Sequence, residues 1–397
     1  MSTLNERSGE YRVAREKTRR KVLRIIVVVI LVVLAGFLCY TIWDGIRNKQ
    51  YNSYKIVASF DRTDSNTVVY KNYGDNILKY SRDGASAIDS EGNVIWNGSV
   101  EMQSPMVDIS GDYVAIADDG GKEIYVYSGS DAGTLIEVPL PIRNIRVASQ
   151  GVVAAVLEDS TSNTVCLYDP YNSSEKLLVE VPTNVSSDGY PVDIELSSDG
   201  KSLVTAYLSV TKGVPESRVC FYNFSEVGQD KNRIVGGKTY DNTMIAKLDF
   251  INENTVCIML DNGFSLFENM KQPEELCTER FDREIKSAVF DEGYVGFVFE
   301  EGGDAAMSGL KLYDASGKKV LDKKVDYQYE QVYMDKGEII FLSGGGCSII
   351  RTDGFCKFKG VFDSGAQYLF GTNEKDTYYM VDENRINIIE LTEDNTQ

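Results

Sequence analysis

A unit of about forty residues recurs along this chain, and it contains strands only. A short apolar strand runs into a turn rich in Asp, Asn, Gly and Lys, and a longer apolar strand follows. Eight copies are readable: VVYKNYGDNILKYS (68–81), VDISGDYVAIAD (107–118), IRVASQGVVAAVLED (145–159), IELSSDGKSLVTAY (194–207), LDFINENTVCIML (248–260), AVFDEGYVGFVFE (288–300), VYMDKGEIIFLS (332–343) and LFGTNEKDTYYMVD (369–382). From one second strand to the next the steps are 36, 39, 50, 53, 38, 44 and 40 residues. One such unit cannot bury both faces of its sheet, but a ring of them can. A period of this length in an all-strand chain predicts a β-propeller.

The second half of the unit repeats as well. AIDSEGNVIW (87–96) and LYDASGKKVLDKKV (312–325) each read as a third strand, an Asp-x-x-Gly turn and a fourth strand. Second strands such as Val152 to Leu157 are continuously apolar, as strands covered on both faces are. Fourth strands such as Lys318 to Lys323 alternate and carry charge, as exposed edges do. The last unit has three strands after 368, and the stretch 54–60 (YKIVASF) is a strand without a unit. Pairing the two closes the ring. The expectation is all-β, an eight-bladed β-propeller over 54–391, with seven blades as the alternative because 190–238 and 244–280 are irregular. The polar stretch 223–243 reads as a loop.

LSSDGKSLVTAY (196–207) contains Gly200-Lys201-Ser202, the tail of a phosphate-binding loop. Such a loop needs a glycine where Glu195 stands and a helix after the serine, where Leu203, Val204 and Thr205 spell a strand. The phrase is therefore a Ser-Asp-Gly turn between strands.

Residues 1–24 carry eight Lys/Arg and three acids, a net of +5, which leaves −24 of the total −19 for the rest. A body so acidic does not suit nucleic acid, whose binding depends on neutralising phosphates. Residues 25–43 (IIVVVILVVLAGFLCYTIW) hold no charge and, as a helix, match a bilayer in length. Arg20, Lys21 and Arg24 before this run orient it, and Tyr40 and Trp43 stand at its interfacial end. We therefore expect a basic cytoplasmic tail (1–24), a transmembrane α-helix acting as an uncleaved signal anchor (25–43), a linker (44–53), the propeller outside the membrane (54–391) and a polar tail (392–397). The lipid bilayer is one expected partner, met through residues 25–43. Six cysteines follow Cys39, most of them single within apolar strands, where a thiol packs as a small hydrophobe.

The turns SSDGKSL, AIDSEGNVIW and LYDASGKKV resemble those of WD-type and quinoprotein-like (PQQ-like) propeller repeats. The layout of basic tail, single span and extracytoplasmic propeller resembles an uncharacterised family of single-pass bacterial membrane proteins. The resemblance covers about 54–391 and implies the fold; it specifies no chemistry. Quinoprotein propellers carry a tryptophan in the docking motif of each blade. This chain has two tryptophans, Trp43 in the apolar run and Trp96 on a fourth strand, so no cofactor is expected.

There is no histidine, which removes Ser-His-Asp and Cys-His catalysis and histidine metal sites. No catalytic residue and no metal ligand set is expected. Turns after the second strand are acidic in many units: Asp83, Asp118, Asp119, Glu158, Asp159, Asp261, Glu300, Glu301, Asp382 and Glu383. A propeller brings these turns to one face, where they form a candidate acidic surface for a cation or a basic partner, or are simply solvated hairpin turns. Tyr327, Tyr329 and Tyr333 form a candidate aromatic interface, or pack between blades. The functional expectation is a noncatalytic protein-binding or scaffold module of the cell envelope, its partner an unknown envelope protein or a cell-wall polymer. The alternative is an envelope enzyme or sensor that holds a small ligand or cation in the propeller channel.

Overall fold

The computed structural model describes residues 28–393 apart from 43, 46, 66, 130–131, 226–232 and 301–306. The chain divides into two units, Met1–Gln50 and Tyr51–Gln397.

In the first unit a helix is described over 28–42, and its apolar side chains from Val28 to Ile42 are exposed all round. Fifteen helical residues rise about 22 Å, short of the ~30 Å of a hydrocarbon core. Among the described residues no helix is long and apolar enough to cross a membrane. Of the expected span 25–43, residues 25–27 and Trp43 lie outside the described residues, as do Arg20, Lys21 and Arg24.

In the second unit the described residues form eight four-stranded antiparallel sheets. Blade 1 is β2–β5 (Val69–Tyr73, Asn76–Ser81, Gly84–Ile88, Val94–Ser99) and blade 2 is β6–β9 (Pro105–Ser110, Tyr113–Asp118, Glu123–Ser128, Thr134–Glu137). Blade 3 is β10–β13 (Ile142–Val147, Val153–Glu158, Ser162–Tyr168, Leu177–Asn184) and blade 4 is β14–β17 (Tyr190–Leu196, Ser202–Thr211, Val214–Asn223, Ile234–Asp241). Blade 5 is β18–β21 (Ile245–Asn252, Thr255–Leu260, Gly263–Glu268, Glu274–Arg280) and blade 6 is β22–β25 (Ile285–Asp291, Tyr294–Glu300, Met307–Asp314, Lys319–Asp326). Blade 7 is β26–β29 (Gln331–Asp335, Glu338–Ser343, Gly346–Arg351, Cys356–Val361). Blade 8 is β30–β32 (Tyr368–Gly371, Thr377–Val381, Arg385–Thr392) completed by β1 (Ser53–Asp61).

The ring is thus an eight-bladed propeller, and the seven-bladed alternative is set aside. The stretch read as a loop at 223–243 supplies β17, whose outer position asks for only one apolar face. Tyr240 is buried there and Lys238 lies over its ring. The apolar second strands sit between blades: Val153, Ala155 and Leu157 face blade 2, while Ala154 and Val156 face blade 4.

Closure joins the chain ends as expected. β1 pairs with β32 from Ser53↔Thr392 to Asp61↔Arg385. The unit begins earlier, at Tyr51, whose buried ring follows an amide donating to the Lys357 carbonyl (2.8 Å) and whose Oη donates to Asp376 (2.7 Å). Past β1 the fully buried Arg62 side chain locks blade 8 to blade 1. Its Nε donates to Asp64 (2.6 Å), and its Nη1 to Gln367 (2.8 Å) and the Asp382 carbonyl (2.9 Å).

The Gly-Lys-Ser phrase is a turn. Asp199 accepts from Lys201 N (3.0 Å) and Ser197 Oγ (2.8 Å), Gly200 takes φ +67°, and β15 follows. The left-handed φ at Gly200 is the reason a glycine closes it. All seven cysteines are free.

Candidate functional site

First strands of neighbouring blades lie against one another, β6 on β10, β10 on β14 and β14 on β18, so they line the axis. Their alternate residues carry a belt of charge. Arg146 Nε donates to Glu195 (2.6 Å), its Nη2 to Asp193 (2.9 Å) and its Nη1 to Asn144 (2.8 Å). Asp193 also accepts from the Leu248 amide of blade 5 (2.8 Å), and Asp108 of blade 2 accepts from the Val147 amide of blade 3 (2.7 Å). Asp291 takes the Gly337 amide and Asp335 takes the Gly371 amide, each at 2.6 Å. One carboxylate thus holds the next blade's backbone at four places around the ring. Glu195, the residue that rules out a phosphate loop, is one of the two acidic side chains that Arg146 bonds.

Burial pushes the carboxyls of Asp108 and Asp249 up, and it pushes Glu195 up to about 8, with the Arg146 guanidinium opposing it. Arg146 is held above its usual range: burial works against its charge, and Glu195, Asp193 and Asp108 outweigh that. A depression of about 480 Å³ at one channel mouth is lined by Asp108, Glu195, Glu253 and Glu292. The folded state therefore binds protons here more tightly than the unfolded chain, whose glutamate titrates near 4.5. Stability from this group is complete below about pH 4.5 and declines as the pH rises toward 8. The urea midpoint should fall between pH 5 and pH 8.5, and Glu195→Gln should flatten that slope. An equally steep slope in the variant removes Glu195 as its source.

Turns between second and third strands share one end of the ring with the connections between blades. Asp83, Asp118, Asp119, Glu158, Asp159, Asp261, Glu300, Asp382 and Glu383 all lie at this end; Glu301 lies outside the described residues. Several fasten the adjoining backbone. Asp118 accepts from Gln103 N (3.0 Å) and Ser104 N (2.6 Å), and Asp261 from Met244 N (3.3 Å). Asp382 accepts from Asn384 N (2.8 Å), Arg385 N (2.7 Å) and Ser364 Oγ (2.9 Å). Burial alone would raise the Asp382 carboxyl; these bonds bring it below its usual range. Arg143 draws Asp119 and Glu158 together, at 2.9 Å from the former. The others are spread over separate blades.

The tyrosines divide. Tyr333 is a clasp between blades: its Oη donates to the Leu369 carbonyl (2.5 Å) and accepts from the Leu369 amide (3.2 Å). Tyr73 and Tyr379 do the same work toward the carbonyls of Asp112 (2.6 Å) and Asp75 (2.8 Å). Tyr327 and Tyr329 instead wall a groove of about 910 Å³ between blades 6 and 7. Their hydroxyls meet Ser343 Oγ (3.0 Å) and Ser287 Oγ (3.1 Å), and Lys286 flanks the Tyr329 ring at 5.1 Å. Glu330, Gly345, Gly360 and Val361 complete the lining. An adjoining depression of about 640 Å³ shares Glu330 and Ser343 and extends to Asp382 and Glu383. The structure therefore brings the aromatic pair and two of the acidic residues to one stretch of surface. Glu330, Gly345 and Val361 were not legible in advance, although Ser343-Gly344-Gly345-Gly346 signals a turn with room above it.

The same end carries the exposed apolar surface. The β15–β16 hairpin runs past its neighbours, whose pairing stops at Tyr190↔Leu208 and Glu216↔Asp241. Val210 (63% exposed) and Val214 (51%) lie on this projection. Val185, Tyr190, Val192 and Met244 are exposed around its base. Among the described propeller residues, large exposed apolar side chains otherwise lie on outer strands, apart from Tyr171.

Comparison with solved structures finds the same fold along most of the chain. BamB from Moraxella catarrhalis matches with a TM-score of 0.52 and 12% identity, over 85% of this chain and 100% of that one. Sqt1 from Saccharomyces cerevisiae matches at 0.53 and 12%, over 86% and 100%. The computationally designed Ika8 protein matches at 0.51 and 11%, over 86% and 100%. Identities this low show the fold alone. No curated protein matches. The model of one family, described as a family of unknown function (DUF5711), matches residues 47–391.

Proposed function

The chain belongs to the DUF5711 family of unknown function, and from its fold and surface we propose that it is a noncatalytic protein-binding scaffold of the cell envelope, tethered through residues 25–43 with the propeller outside the membrane. The observation that carries this reading is the gathering of exposed apolar side chains on one end of the ring, around the projecting β15–β16 hairpin. Exposed apolar patches on soluble domains mark interaction sites. Tyr51, the first residue of the propeller unit, bonds Lys357 and Asp376 at the opposite end of the strands from that hairpin. The helix over 28–42, apolar on every side, supports a lipid or protein environment for the tether. The reading in which the channel holds a small ligand is less favoured, because Arg146 is already matched by carboxylates.

A photoreactive residue placed in cells at Val210 or Met244 should give discrete protein adducts, and one at Tyr171, on the opposite end, should give none. Adducts only from Tyr171, or from neither end, would overturn the scaffold reading. Protease added outside wall-stripped cells should digest the propeller; a protected propeller would overturn the orientation.

A further inference from the structure

The groove between blades 6 and 7 has the features of a peptide site, and its chemistry narrows the partner. Its lining includes Tyr327, Tyr329 and Val361, the last 79% exposed. Glycine also lines it, and at Gly345 no atom lies within 4 Å of where a Cβ would be. Such a lining has room for an apolar side chain from outside. The charge beside it is unanswered. Glu330 and Glu383 are exposed and have no ion-pair partner among the described residues. Lys359, the lysine in the lining, is already engaged by Asp326, through its carbonyl at 2.7 Å and its carboxylate at 3.6 Å. Val361 ends β29, the outer strand of blade 7. The edge of β29 already receives extended backbone: Tyr51 forms a parallel bridge with Phe358, its amide on the Lys357 carbonyl. Past Phe358, β29 runs on as the outer strand through Lys359 to Val361.

Resting on the scaffold reading above, we propose that this groove takes an extended segment of a partner protein laid along the free edge of β29, with an apolar side chain between Tyr327, Tyr329 and Val361 and a lysine or arginine at Glu330. Main-chain bonds to a strand edge supply affinity, and the pocket and the carboxylates supply selection. The net charge of the propeller attracts such a segment, and Glu330 with Glu383 places it.

The test uses the full chain and three fluorescent heptapeptides: alternating Leu-Lys, alternating Leu-Glu and alternating Ser-Lys. The Leu-Lys peptide should bind saturably. The Leu-Glu peptide should not bind, and Ser-Lys should bind at least tenfold more weakly than Leu-Lys. Gly345→Trp fills the groove without backbone strain, because Gly345 is outside the left-handed region; it should weaken Leu-Lys binding at least tenfold at an unchanged urea midpoint. The double variant Glu330→Lys with Glu383→Lys should do the same and reduce the salt dependence. Equal affinity for Leu-Lys and Leu-Glu, or Leu-Lys binding untouched by both variants, overturns the proposal. Loss of peptide binding with adducts persisting at Val210 sinks the groove alone; loss of both sinks the scaffold reading.

Discussion

A chain that begins at Arg62 should lose most of its stability and should self-associate. Removing β1 strips β32 of its partner along eight registered pairs. It also removes the buried Tyr51 and the half-buried Tyr54 and Phe60, the first two of which bond to Asp376 and Asp363. At about 1.5–3 kcal/mol for a fully buried large side chain, discounted for the two that are half exposed, these rings alone contribute roughly 3–6 kcal/mol. That is a large share of the ~5–15 kcal/mol that keeps a folded domain folded. The bare β32 edge would then offer unpaired backbone to a second chain. Urea unfolding should show a lower midpoint, sedimentation should show oligomers, and a synthetic peptide covering 51–61 should reverse both. An unchanged midpoint with a monomeric chain means that closure by β1 is dispensable, contrary to this structure.

Arg146→Ala carries the second large effect. The guanidinium is the cation shared by Asp193 and Glu195 at 2.9 and 2.6 Å, and Asp193 in turn holds the Leu248 amide of blade 5. Removing the cation leaves the Asp193 carboxylate without its counter-charge in a poorly solvated place, a loss of about 3–5 kcal/mol. Lys71 and Lys247 do not replace it, because Lys71 donates to the Val107 carbonyl and Lys247 is paired with Asp249. Replacing the whole cluster, with Arg146→Met, Asp193→Asn and Glu195→Leu together, should recover much of the loss, since no charge then lacks a partner. A midpoint shift equivalent to less than about 1 kcal/mol in Arg146→Ala would place this cluster among weak, solvated pairs.

The fold was legible because its signals are local. Asp199-Gly200 and Asp353-Gly354 reverse the chain by their own turn chemistry, and Ile339 to Leu342 declare a doubly covered strand by composition. Even ring closure left a trace, as a strand at one terminus and a three-stranded unit at the other. Where a stretch is polar and needs only one covered face, as at β17, the local signal fails. The site was less legible. Tyr327 and Tyr333 look alike in VDYQYEQVYM. One lies in the connection between blades and walls a groove, and the other points from β26 into blade 8.

From its own residues this chain dictates strands, turns, their period and an acidic body that follows a basic tail in sequence, because each of those depends on composition or on neighbours a few positions apart. Only the closed ring decided that Arg146 meets Glu195 across 49 residues, that Tyr327 and Glu383 share a stretch of surface, and that Asp118, Asp261 and Asp382 fasten adjoining backbone. Those encounters depend on the rotation from one blade to the next, which is set by side chains packing between whole sheets and is written in no single segment.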